Sequence, residues 1–240
     1  MDTEDKVSVI IPTFNRFKYI LNTIESVKNQ TYKNVEIIVV NDCSTQKEYY
    51  EHDWTDVKII HLEQNSKSIF GFACGGFVRN KGIDISEGKY VAFCDDDDIW
   101  FPQKLELQIA SMKKTCCQMS STDGLIGNGV YNPNNKYPIY NAEHYYNTLQ
   151  NIYKNKGSNL LEKGFPEIWN LDFLKIHNCI ICSSVIIEKN ILNKINNFKN
   201  VKNGCEDYDC WLTALEHTDC VYVNNVCFYY DAGHGDGQNY

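Results

Sequence analysis

The stretch Tyr90-Val91-Ala92-Phe93-Cys94-Asp95-Asp96-Asp97-Asp98-Ile99-Trp100 joins an apolar run, four consecutive carboxylates and a return to apolar residues. Tyr90-Val91-Ala92-Phe93 predicts a buried strand. The acids follow it directly, so they are tethered at a strand end rather than carried on a floppy tail. Four adjacent negative charges repel one another unless a cation or solvent relieves them. Hard oxygen ligands suit Mg²⁺ or Mn²⁺, held by one or two carboxylates together with substrate phosphates. The same run also reads as a solvated acidic loop, or as Asp residues favouring the start of the next helix.

Upstream, strands and helices alternate. Val7-Ser8-Val9-Ile10-Ile11 reads as a buried strand stopped by Pro12, and Ile20, Leu21, Ile24 and Val27 follow at helical spacing. Val35-Glu36-Ile37-Ile38-Val39-Val40 predicts a second strand and residues 57–62 a third, with a short helix at 46–51. Residues 77–85 read as a helix, and a further helix starts at Pro102, placed at its first position. This alternation predicts an α/β fold with a mostly parallel sheet covered by helices on both faces. Ligands in such sheets bind beyond the carboxyl ends of the strands. Three polar clusters fall at that edge: Thr13-Phe14-Asn15-Arg16, Asn41-Asp42-Cys43-Ser44 and Asp95 to Asp98.

The second half is less regular. Residues 131–166 are rich in Asn, Tyr and Lys with little periodicity. Residues 182–187 read as a strand and 189–195 as a short helix. Tyr208, Trp211, Leu212 and Leu215 place a helix start near Asp207. Residues 221–223 and 226–230 read as two strands joined by a turn at Asn224-Asn225. We expect one domain over 1–240, with a nucleotide-type half to about residue 115 and an acceptor-type half from about 116.

The chain has 240 residues, 43% of them hydrophobic, which argues against disorder. A net charge of −8 argues against nucleic-acid binding and against a basic membrane-surface patch. No apolar run approaches the ~18 residues of a membrane span. The opening Met1-Asp2-Thr3-Glu4-Asp5-Lys6 lacks the apolar segment of a signal peptide, so the eleven Cys are expected as reduced thiols in a cytoplasmic protein.

Other residues carry candidate chemistry. Only Arg16 and Arg79 are Arg among 23 basic residues, and each sits where a predicted loop meets a helix. Guanidinium offers a bidentate fork for phosphate or carboxylate. Asp42 is placed to accept hydrogen bonds from a ribose or a base, or to form a turn. Cys205-Glu206-Asp207-Tyr208-Asp209 opens an amphipathic helix, where an acid serves as cap or as general base. His234, in Gly233-His234-Gly235-Asp236-Gly237, reads as a metal or phosphate ligand or as a tail His. Cys179-Ile180-Ile181-Cys182 has metal-like spacing without a second pair and reads as strand core. Residues 71–76 are Gly-rich but lack phosphate-loop spacing, and no Walker, dinucleotide or nucleophile-elbow motif appears.

In order, Val7 to Arg16, Glu36 to Ser44, Val78-Arg79-Asn80-Lys81-Gly82, Tyr90 to Trp100, Ser183 to Ile187 and Glu206 to Leu212 resemble the family 2 glycosyltransferases of GT-A fold, over nearly the whole chain. The resemblance implies an inverting transferase moving a sugar from a nucleotide-diphosphate sugar, most often a UDP-sugar, to a glycan or glycoconjugate hydroxyl, with Mn²⁺ or Mg²⁺. It places Pro12, Thr13, Asn15 and Arg16 in the first nucleotide loop. Asp42 falls on the uracil or ribose side and Arg79 on the nucleotide or diphosphate. Asp95-Asp96-Asp97 matches the family's D-x-D, with Asp95 on the ribose or donor sugar and in the metal set with Asp97 and His234. Asp98 faces the sugar. Asp207 becomes the base, Glu206 orients the acceptor, and Trp211 belongs to the core. Asp231 follows Tyr230 where many members have Arg, and the Gly often found before the acceptor-side loop is absent at Asn196-Asn197. Two competitors remain: a sugar-nucleotide nucleotidyltransferase, and a non-catalytic carbohydrate- or nucleotide-binding protein on the same fold.

Overall fold

The structure, a computed structural model, describes residues 5–202 and 205–234. The first four residues and the Gly235-Asp236-Gly237 part of the tail motif lie outside these.

The first half follows the expected alternation: β1 (Val7–Thr13), α1 (Phe17–Lys28), β2 (Val35–Asn41), α2 (Glu48–Glu51), β3 (Val57–His61), α3 (Ser66–Phe70), α4 (Gly75–Ile85) and β4 (Tyr90–Phe93). Then come β5 (Ile99–Trp100), α5 (Lys104–Thr115) and β6 (Met119–Gly127). A π-helical turn at Tyr140–Tyr145 leads into α6 (Tyr146–Asn155), β7 (Ile168–Trp169) and α7 (Leu171–Leu174). A 3₁₀ turn at Cys182–Ser184 precedes β8 (Ile186–Glu188), α8 (Lys189–Lys194), α9 (Glu206–Ala214) and β9 (Cys220–Asp231).

One sheet joins both halves in the order β3-β2-β1-β4-β8-β6-β9-β5, with β7 also on β9. β1 pairs in parallel with β2 and β4, and β2 with β3. β8 runs antiparallel between β4 and β6, and β6 runs parallel to β9. This is the α/β, mostly parallel sheet that the alternation predicts.

The sheet is buried on both faces, which is why its first strands read as continuous apolar runs. Val7, Val9 and Ile11 face a core with Ile20, Ile24 and Val27 of α1 and Leu105 and Ile109 of α5. Ile10 faces the other core, with Val78 and Ile83 of α4 and Trp211 of α9.

Four local expectations are corrected. β1 does not stop at Pro12 but runs through it to Thr13. The Ile10 carbonyl bonds Cys94 N, so the N–H that Pro12 lacks would point to the side where β4 has ended at Phe93. Pro102 is not the first helical residue: α5 begins at Lys104 after Gln103. The Phe101 and Pro102 carbonyls are held by Gln30 Nε2 and Thr31 N, which fixes that turn ahead of the helix. Residues 182–184 are a 3₁₀ turn rather than strand, because Ser184 Oγ and N both donate to the Ile181 carbonyl. Asn224-Asn225 make no reversal. β9 is one strand, and these two exposed residues bulge between the pairs Thr122↔Val223 and Asp123↔Val226.

Close approach of α4 to the sheet sets the height of Arg79. A Cβ on Gly82 would lie 2.6 Å from Ile10 Cγ2 and 3.2 Å from Val40 Cγ2. Both neighbours are fully buried β-branched residues that cannot move aside. We therefore expect Gly82→Ala to destabilise by about 1–2 kcal/mol, the overpacking cost exceeding the helix-propensity gain. Urea unfolding checks this; an unchanged or raised midpoint would mean that α4 lifts off the sheet without cost.

Candidate functional site

The carboxyl ends of β1 and β4 and the start of α9 meet at a cleft of about 430 Å³. Pro12, Arg16, Arg79, Asp95, Asp96, Asp97, Glu206 and His234 line it, so residues spread over most of the sequence converge.

The acidic loop is fixed from several directions. Thr23 Oγ1, on the buried face of α1, lies 2.9 Å from the carbonyl oxygens of Asp96 and Asp98. Asp95 N donates to Ser183 Oγ at 2.9 Å, tying the loop to the 3₁₀ turn. Asp98 Oδ1 accepts from Asp231 N at 2.9 Å, tying it to the end of β9.

The two Arg residues face this loop. Arg16 Nη1 lies 2.9 Å from Asp96 Oδ1 and 3.0 Å from Asp97 Oδ2, and its Nη2 donates to the His234 carbonyl. Arg79 Nη2 lies 2.6 Å from Asp95 Oδ1, and its Nη1 lies 3.4 Å from Glu206 Oε1. Arg79 thus joins the loop after β4 to the first turn of α9. Gly75 makes room for that link: a Cβ there would sit 2.8 Å from both Arg79 Nη1 and Glu206 Oε1.

Two cations do not neutralise this much buried acid. Burial, then the charge of Asp96, pushes Asp97 up to about 8, against the pull of Arg16. Burial raises Asp96 in spite of Arg16, and burial with Asp97 and Asp95 raises Asp98. In α9, burial pushes Asp207 up to about 6; Arg79 opposes this, and Glu206 and Asp95 add to it.

The other predicted residues stand behind or beside the cleft wall. Thr13 Oγ1 bonds the Tyr49 hydroxyl, which also accepts from Arg16 N. Asn15 adopts φ 54° and its Oδ1 accepts from Thr45 N, pinning the loop after β2 to the loop after β1. Asp42 is fully buried, and its carboxylate accepts from Ser66 N, Ser66 Oγ and Asn65 Nδ2. Asp98 is likewise buried behind the loop. Asp207 is half-buried beside Glu206, outside the cleft lining. Trp211 is core, as expected.

Sequence reasoning missed Phe72, Ala73, Gly75, Lys202 and Tyr230 in the lining. The Gly-rich segment at 71–76 was the available signal for three of them. It works by allowing close approach at the start of α4 rather than by phosphate-loop spacing.

A hard divalent cation fits the chemistry of this donor set, since Asp95 and Asp97 offer oxygens in a loop with surplus buried negative charge. Among the described residues, no three His, Cys, Asp or Glu side chains converge as a complete metal cage. Those two carboxylates are candidate donors, with substrate phosphates the usual completion of such a set. Among the described residues, no helix is long and apolar enough to cross a membrane.

Comparison with known proteins gives consistent results. The profile of Glycosyl transferase family 2 matches residues 8–191. The chain is 28% identical over 222 residues to the Escherichia coli UDP-Glc:alpha-D-GlcNAc-diphosphoundecaprenol beta-1,3-glucosyltransferase WfgD, covering 91% of this chain and 73% of that protein. It is 37% identical over 121 residues to the putative teichuronic acid biosynthesis glycosyltransferase TuaG of Bacillus subtilis, covering 48% of this chain and 45% of that protein. The fold resembles the crystal structure of S. aureus TarS 1-349 in complex with UDP-GlcNAc, with a TM-score of 0.67 at 22% identity over 98% of this chain and 61% of that one. The chain spans 15%, 45% and 50% of three of its curated relatives, so their whole-protein activities do not transfer directly. A match covering three quarters of the chain, on this fold, makes it a member of glycosyl transferase family 2.

Proposed function

We propose that the chain is an inverting glycosyltransferase that moves a sugar from a nucleotide-diphosphate sugar, a UDP-sugar, to a hydroxyl of a glycan or glycoconjugate acceptor. The observation that carries this is the convergence of Asp95 to Asp97, both Arg residues and Glu206 at one cleft, with Asp207 next to Glu206 in the first turn of α9. WfgD is named for a UDP-Glc donor, and TarS was solved with UDP-GlcNAc; both support the donor class.

In this reading Pro12, Arg16 and Arg79 border the nucleotide diphosphate. Asp42 and Asn15 shape the nucleotide side by bracing the loops after β2 and β1. Asp95 and Asp97 would hold Mn²⁺ or Mg²⁺, with His234 of the same cleft lining as a further donor rather than part of a preformed cage. When bound, the cation supplies charge neutralisation at the departing diphosphate. Arg79 shares that task and also steadies Glu206, which orients the acceptor. Asp207 takes the proton from the acceptor hydroxyl as that oxygen attacks C1 from the face opposite the leaving group. One displacement inverts the anomeric centre. A base near pKa 6 is ionised at neutral pH yet accepts a proton more readily than an ordinary aspartate. The eleven free thiols support a reducing, cytoplasmic compartment.

The first test is a thermal-shift panel of UDP, GDP, CDP, TDP and ADP, each with and without Mn²⁺. A ligand at one hundred times its dissociation constant adds about 2.7 kcal/mol. The expected result is a rise with UDP that requires Mn²⁺. A flat response to every diphosphate would leave the non-catalytic reading standing.

Asp97 links stability to pH. Its folded-state pKa near 8 lies well above the ~3.9 of an unfolded chain, so its contribution to stability is lost as pH rises between those values. The ligand-free protein should melt lower at pH 8 than at pH 6. Asp97→Asn should flatten that slope while losing the Mn²⁺-dependent response to UDP. A steep slope or an intact Mn²⁺ response in the variant would remove Asp97 from the metal set.

For Asp207, the rate of UDP release from the UDP-sugar, with water as acceptor, should fall as pH drops through about 6. Asp207→Asn should keep the UDP response, lose that limb and slow release by ~10²–10⁴. Wild-type rates in Asp207→Asn, with loss in Glu206→Gln, would move the base to Glu206.

A further inference from the structure

A row of five aromatic rings leads from the surface into the cleft. Its order is His144, Tyr145, Tyr140, Tyr230 and His234, with successive centroids 4.6, 4.9, 5.9 and 5.9 Å apart. The interplanar angles of 60–84° make every contact edge-to-face, each setting one ring's edge against its neighbour's face. Tyr145 is 37% exposed at the outer end, while Tyr230 and His234 line the cleft at the inner end. Tyr140 and Tyr145 belong to neither hydrophobic core.

The row is held by a buried carboxylate with no part in the chemistry above. Asp123, 1% exposed, accepts at Oδ1 from Asn141 N and at Oδ2 from Ala142 N and the Tyr222 hydroxyl, at 2.9–3.0 Å. Asn141 Nδ2 adds a bond to the Cys179 carbonyl. These bonds fix the first turn of the π-helix that begins with Tyr140 and carries Tyr145 at its end. A π-helical turn is rare, and such turns recur at functional sites.

The row also passes the reactive groups. Burial raises the Tyr140 hydroxyl to about 12, with Asp207 among the charges that add to it. Burial raises the Tyr230 hydroxyl too, with Asp98 and Asp95 as the next causes. The row enters the cleft at Tyr230 and His234, which line the same space as Asp95 to Asp97.

We propose that this aromatic row is the acceptor track, and that it takes a chain of two or more pyranose rings rather than a single sugar or a polyprenyl tail. The assignment rests on the glycosyltransferase reading above. A pyranose presents an apolar C–H face to an aromatic ring and a rim of hydroxyls to polar neighbours. The row supplies both kinds of group along its length, since each ring joins an apolar body to a phenol hydroxyl or an imidazole nitrogen. A polyprenyl chain needs unbroken apolar surface, which such a row does not provide. Four ring-to-ring steps carry the track well beyond the width of one hexose.

The test uses protein loaded with UDP and Mn²⁺ and probes cellotriose, chitotriose and mannotriose by saturation-transfer NMR, with farnesyl phosphate as the lipid probe. At least one trisaccharide should bind more tightly than its monosaccharide. Tyr145→Ala, at the exposed end where the fold is not at risk, should weaken it about five- to tenfold, and Tyr145→Trp should restore it. Tyr140→Leu gives a second reading nearer the cleft. A UDP response with no trisaccharide binding, unchanged binding in both variants, or farnesyl phosphate displacing the sugar would each overturn the track. A wild-type protein without any UDP response would instead overturn the donor reading beneath it.

Discussion

Four consecutive carboxylates at the end of one central strand set the terms for the rest of this molecule. Asp96, Asp97 and Asp98 are buried, and taking an ionised carboxylate out of water costs several kcal/mol even after relaxation. The loop holds only because each neighbouring element gives it something. The loop after β1 supplies Arg16, α4 supplies Arg79, α1 supplies Thr23, and β9 supplies a backbone N–H. These elements are far apart in sequence, and the acidic loop is their common partner. A buried ion pair of this kind is weak evidence for stability. The pairs hold the loop in one arrangement at the cleft, and burial still leaves the carboxyls of Asp96, Asp97 and Asp98 raised.

A second, neutral layer supports the loop from behind. The 3₁₀ turn at Cys182–Ser184 takes Asp95 N on Ser183 Oγ and Trp100 Nε1 on the Ser183 carbonyl. The Ser184 carbonyl in turn accepts from Gln108 Nε2 and Lys104 Nζ, and Lys104 lies 4.0 Å over the Trp100 ring. Lys104 is fully buried, and burial lowers it to about 7. The turn that corrects the expected strand at 182–187 is thus a fixed link between the acidic loop and the polar interior of β6. Gln108 Nε2 reaches Ser120 Oγ there, and Ser121 Oγ meets Ser184 Oγ.

The same division explains what the sequence disclosed. β1, β2 and β4 were legible because both faces of each are buried, so burial and apolar pattern coincide. The ends of those strands were legible too, since Arg16, Arg79 and the Asp run are unusual residues in positions fixed by the pattern. β6 was missed because its buried residues Ser120, Ser121, Thr122 and Asp123 are polar, and only their three-dimensional partners make them interior. The bulge at Asn224-Asn225 looked like a turn, since Asn suits both and local composition does not reveal pairing with β6. Asn196 and Asn197, where the family resemblance sets an expectation of Gly, both adopt φ near 60°. Asn tolerates this conformation better than most residues, so the backbone that Gly would provide is kept with a different side chain.

On the proposed reading, donor and acceptor sides rest on different kinds of structure. The donor side is built at the ends of parallel strands, whose geometry is fixed by cores on both faces, and few residues can be exchanged there without disturbing buried charge. The acceptor side is built on a π-helical turn and the end of β9, pinned at a few points such as Asp123 and Asp231. Side chains between those pins, Tyr145 and His144 among them, are exposed and can vary without touching either core. On the proposed reading, a substitution at the π-helical turn would reach the acceptor without disturbing the buried charge on which the donor side depends.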